Sequence, residues 1–183
     1  MDITKKGKEE IVKLKSEIVQ LDKEYISMCD RQSKEHDQLY RKALSKECDK
    51  IWRKKNAKET RISEIEKLGL SSKECLALKK ELLHFKTIAS ERMLGSSDYT
   101  VVGQSKALDG AYVKVTYCKW GSFMRNVKGC GSLAGKTDIN EVVELPEKEY
   151  NELLNQNSVH KTSFMGGHSE RIVTPNGEVV QEK

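Results

Sequence analysis

The sequence predicts an α+β protein: a long N-terminal coiled-coil or helical hairpin followed by a small β-rich α+β module. Charge and glycine carry that prediction. Residues 1–94 hold 23 Lys/Arg and 17 Asp/Glu, a net of +6, while residues 95–183 hold 10 and 11, a net of −1. Ten of the twelve glycines and both prolines, Pro146 and Pro175, lie from Gly95 onward. A charged segment almost free of Gly and Pro reads as helix, and a Gly-punctuated one as strands and turns.

The first helix is expected over residues 8–68. It opens on a heptad seam of Ile11, Leu14, Ile18, Leu21, Tyr25 and Met28, the a/d pattern of a coiled coil. The register slips through residues 30–37 and resumes at Leu44, Cys48, Ile51, Ile62 and Ile65, with Lys55 and Lys58 in core phase. No Gly or Pro stands at the slip to force a stop. Gly69 reads as a C-cap, and Ser71 with Glu74 as a capping box. A second helix is expected over residues 72–94, with Leu78, Leu82, Phe85, Ala89 and Met93 as its apolar stripe.

About 23 residues of helix cover roughly 35 Å, against about 90 Å for the first helix. The heptad of residues 11–28 is therefore expected to seek another helix, in a homo-oligomer (a dimer) or on a coiled-coil partner. A sharp bend near Asp30, giving a three-helix bundle, is the rival reading. On this basis residues 1–95 form the helical region.

Residues 96–157 are expected to form the α+β module. Residues 111–120 (AYVKVTYCKW) alternate as a strand, and residues 139–145 (INEVVEL) read as another. Pro146 suits the first position of a helix that carries Tyr150, Leu153 and Leu154. The tail, residues 158–183, is expected to be partly flexible, above all over 159–170, with a short hairpin around Pro175-Asn176-Gly177.

Composition narrows the function classes. Charged residues are 33% of the chain and the apolar set 37%, polar for a globular protein but not disordered. Apolar runs reach about three residues, so no transmembrane helix of about 20 is expected. No apolar leader follows the N-terminus. Five cysteines, an odd number without a CxxC, read as reduced thiols. The expected setting is cytoplasmic, away from membranes.

The sharpest chemical lure is residues 129–137 (GCGSLAGKT). It ends like a phosphate-binding Walker loop, but that motif needs glycine where Cys130 stands. The segment is also expected to lead into a strand instead of a helix. It reads as a glycine loop, or as a backbone nest for an anion built on Gly129, Gly131, Gly135, Lys136 and Thr137. Cys118, Cys130, His160 and His168 match no zinc spacing. No catalytic residue, metal or cofactor is expected.

The basic stripe is the strongest functional signal. With Leu44 at the origin, Lys42, Lys46, Lys50, Arg53, Lys54 and Arg61 fall within an arc of about 120° on a helix. Leu44, Cys48, Ile51 and Trp52 fall opposite. Such an arc suits a phosphate backbone or an acidic protein surface. The chain is therefore expected to be a non-enzymatic interaction protein. It would oligomerise through its N-terminal helices and dock another protein. The alternative is a nucleic-acid-binding protein using the stripe, and a less favoured one is a small enzyme or anion site at residues 129–137.

Overall fold

A computed structural model describes residues 2–127, 130–164 and 167–183. The chain divides into two compact units, residues 2–71 and residues 72–183. The division falls after Ser71, and residues 72–95 group with the strands that follow them.

The first unit is a hairpin of two helices, α1 (Lys5–Lys34) and α2 (Gln38–Leu68). The expected single helix over residues 8–68 is thus broken at residues 35–37. Two carboxylates do what a Gly or Pro would otherwise do. Glu35 Oε1 accepts from the backbone N–H of His36 (2.9 Å) and Asp37 (3.0 Å). Asp37 Oδ1 accepts from Leu39 N–H (2.7 Å) and Tyr40 N–H (3.0 Å), capping α2. Glu35 and Asp37 are both extended, with ψ of 129° and 120°, so the chain reverses.

The reversal places the heptad of α1 against α2. Ile11, Ile62 and Ile65 are buried together, with Ile3, Leu14 and Ile18 packed on them. Leu21, Tyr25 and Met28 continue the seam, half-buried. The two lysines in core phase find acids across the seam. Lys55 Nζ lies 2.6 Å from Asp22 Oδ1, and Lys58 bonds Glu17. The slip in register at residues 30–37 is therefore the end of α1 and the turn itself, and Lys55 and Lys58 make a polar stretch of the antiparallel pair. Gly69 closes α2 in the left-handed region, φ 74°. Its carbonyl accepts from Thr4 N–H at 2.8 Å, tying the start of α1 to the end of α2.

The second unit starts with α3 (Ser72–Glu81), followed by a 3₁₀ turn at Leu82–His84. The helix expected to reach residue 94 stops there, because β1 (Lys86–Arg92) follows. Leu78 and Leu82 are buried as their spacing suggests, while Leu76 and Leu83 are exposed. The remaining strands are β2 (Ser96–Ser105), β3 (Ala111–Trp120), β4 (Thr137–Glu144), β5 (Ser158–Phe164), β6 (Gly167–Val173) and β7 (Val179–Glu182). They form one sheet in the order β4-β3-β2-β1-β5-β6-β7. Every pairing is antiparallel except β1 with β5. The strand mistaken for helix is the central one.

Helix α4 (Glu147–Asn155) carries the chain from β4 to β5. Tyr150 stacks on Tyr112 of β3, ring centroids 4.5 Å apart. Lys86 Nζ donates to the carbonyls of Leu154 and Gln156 at the end of α4, where the helix dipole favours a cation. Val101, Val102, Val113 and Val115 are fully buried. Successive residues Val101 and Val102 point to opposite faces, so both faces of β2 are covered. Gly103 beside them is a close approach: a Cβ there would overlap the ring of Phe85.

The tail is expected to be flexible over 159–170, yet residues 158–164 and 167–173 are strands; residues 165 and 166 lie outside the described residues. β5 pairs with β1 and β6 over residues 158–164, and Ser158 Oγ donates to Thr87 O at 2.7 Å. β6 and β7 form the hairpin around Pro175-Asn176-Gly177, with Gly177 at φ 88°.

Candidate functional site

The outer face of α2 carries the basic stripe. Lys42, Lys46, Lys50, Arg53 and Lys54 are all exposed. Lys50 is held by Glu47, Nζ to Oε1 2.5 Å. Lys42, Lys46, Arg53 and Lys54 have no ion pair among the described residues. Twelve residues of helix separate Lys42 from Lys54, a span of about 18 Å.

Two members of the idealised wheel stand elsewhere. Arg61 is half-buried, its Nε 3.7 Å from Glu10 Oε1 of α1 and its Nη1 2.6 Å from Glu64 Oε2. It belongs to the ladder of charges across the hairpin, because the seam shifts round the helix near Ile62 and Ile65. Trp52, expected on the packed side, is 55% exposed. The packed face of α2 is thus narrower than its apolar residues suggest.

Of the seam residues, Ile11, Leu14 and Ile18 pack with Ile62 and Ile65 of α2, and Leu21, Tyr25 and Met28 are half-buried. The ground for expecting an unpartnered heptad, a first helix far longer than its neighbour, does not hold for α1 and α2 of 30 and 31 residues. Between the helices Lys58 draws the Glu17 carboxyl below its usual range by a hydrogen bond. Asp22, bonded to Lys55, pushes the Lys55 ammonium up.

The glycine segment is described only in part, and Gly129 lies outside the described residues. Four of its described amides are committed. Cys130 N–H donates to Val127 O, Leu133 N–H to Cys130 O, and Lys136 N–H to Leu133 O. Gly135, at φ 72°, donates to Trp120 O at 3.2 Å, and Trp120 N–H donates to Lys136 O at 2.9 Å. Gly131 opens a 3₁₀ turn, and Thr137 starts β4 opposite Lys119. A nest needs several free amides converging on one point. Here the segment serves to pin the β3–β4 connection, and it leads into a strand.

Sequence reasoning missed two serine–histidine pairs on the sheet. Ser90 Oγ is 2.8 Å from His160 Nδ1, across β1 and β5. Ser163 Oγ is 3.0 Å from His168 Nδ1 and 3.4 Å from Glu91 Oε1. The second pair lines a shallow depression of about 400 Å³ with Lys161 and Glu170, themselves 3.5 Å apart. A hydrolytic triad puts its carboxylate on the histidine, whereas Glu91 here meets the serine. No signal in the sequence brings these residues together, since the pairings of β1 with β5 and β5 with β6 create the site. Cys118 is a poor nucleophile: burial first, then Asp98, pushes its thiol up to about 11.

Among the described residues no group of three or more His, Cys, Asp or Glu is placed to hold a metal ion. No helix among them is long and apolar enough to cross a membrane. No family model matches the chain, and no curated protein or solved structure is significantly similar to it.

Proposed function

We propose that this is a non-enzymatic interaction protein whose helical hairpin lies along the phosphate backbone of nucleic acid. One observation carries the reading: four exposed cations on one side of α2, Lys42, Lys46, Arg53 and Lys54, none of them in an ion pair among the described residues. Their span of about 18 Å equals the rise of roughly five base pairs. No aromatic residue lies within the arc to stack on unpaired bases, which favours contact with the backbone of a duplex over a single strand.

The test is a binding titration of the full chain on a generic duplex at several salt concentrations. Four phosphate contacts give a slope of log K on log salt of about −3.6, a loss of about 10²-fold between 50 and 200 mM. The variant K42E/K46E/R53E/K54E is expected to lose binding. Binding that ignores salt, or that survives this variant, rejects the reading.

A protein partner docked on the C-terminal unit is the second reading. The outermost strand β7 favours it, since Val179 and Val180 are 49% and 57% exposed there. An open edge can take a partner strand by backbone hydrogen bonding. Docking of this kind is expected to survive charge reversal on α2.

A further inference from the structure

We propose that Cys29 and Cys48 are a reversible disulfide site, closed by thiol–disulfide exchange with a small-molecule disulfide. The two thiols come from opposite helices of the hairpin, 19 residues apart in sequence, and their sulfurs stand 3.9 Å apart. A disulfide bond is about 2.05 Å, so the gap to close is about 1.9 Å. Side-chain rotation supplies much of that, because the antiparallel packing already aims both sulfurs at one point.

The two thiols differ in access, and this fixes their order of reaction. Cys29 is half-buried, whereas Cys48 is only 7% exposed. The Cys48 thiol is held protonated, by burial first and then by its hydrogen bond with Cys29. Cys29 therefore reacts first. Its thiolate attacks one sulfur of the small disulfide, forming a mixed disulfide and releasing one thiolate of the reagent. Cys48 then gives up its proton to solvent and attacks the Cys29 sulfur, expelling the second reagent thiolate. Two protein thiols are oxidised and one small disulfide is reduced to two thiols. Excess small thiol reverses both steps.

The product ties α1 to α2 by a covalent bond near their turn. This inference rests on the hairpin geometry alone and stands apart from the reading of the basic stripe.

The experiment is to incubate the full-length protein with oxidised glutathione, block free thiols, digest without reduction, and identify cysteine peptides by mass spectrometry. The expected main product is a single cross-linked species joining the Cys29 and Cys48 peptides, lost on adding reduced glutathione. In the Cys48→Ala variant, glutathione is expected to remain on Cys29. Three results overturn the proposal: glutathione persisting on Cys29 of the unaltered chain while Cys48 stays free, Cys29 joined to Cys29 of another copy, or neither cysteine reacting.

Discussion

The turn at residues 35–37 decides the architecture of the first unit, and Asp37 is where it can be tested. One carboxylate oxygen, Oδ1, accepts the amides of both Leu39 and Tyr40, at 2.7 and 3.0 Å. Asp37→Ala removes both acceptances and leaves two amides at the start of α2 to water. Loss of such a cap costs about 1 kcal/mol, within a range of roughly 0.5–2. In a unit of 60–100 residues that lowers the melting temperature by about 4–8 °C per kcal/mol. Asp37→Asn keeps an equally good cap and is expected to melt near the unaltered protein. The assays are thermal melts followed by circular dichroism and amide hydrogen exchange at Leu39 and Tyr40. Exchange is expected to quicken at those two amides first in the alanine variant. If Asp37→Ala melts unchanged with both amides still protected, or if asparagine is as damaging as alanine, the capping argument is wrong.

Two further predictions concern packing and pH. Gly103→Ala places a methyl group on the Phe85 ring, and overpacking of this kind costs about 1–3 kcal/mol. Chemical denaturation should show a lower midpoint at unchanged slope, and an unchanged midpoint would mean that the ring moves freely. The Glu17 carboxyl, bonded to Lys58, titrates below its usual 4.5 when folded. Its contribution is therefore fully present above that value and drains away as pH falls through the lower, folded pKa. Melting temperature against pH should fall less steeply on the acid side for Glu17→Gln, and parallel curves would show that the Lys58 contact adds nothing.

Much of the fold was legible where local signals sufficed. The seam of α1, the cap at Gly69, the alternation of β3 and the helix after Pro146 all depend on residues close in sequence. The failures share a cause. Residues 86–92 (KTIASER) suit a helix as well as a strand, and they become β1 only because β2 and β5 bond to both edges. β5 and β6 bury little: of residues 158–164 only Ser158 is buried. Their order comes from the hydrogen-bond ladder, which leaves no apolar pattern to read. The turn at 35–37 was hidden because carboxylate capping replaced the usual breakers. At the stripe, helical periodicity correctly put five cations on the outside. It misplaced Arg61, whose partner Glu10 lies on the other helix.

The single parallel pairing also sets an order of events during synthesis. β1 accepts β2 as soon as the next strand exists, but its other edge waits for β5. His160, the β5 residue opposite Ser90, is made 70 residues later. At about 5–20 residues per second on the ribosome, that wait is roughly 4–14 s. Through it, the strand destined for the middle of the sheet is an edge, open to any extended chain nearby. Edges of this kind invite mispairing, and β1 ends in Glu91-Arg92, a charged pair that discourages an intruding strand until the proper neighbour emerges.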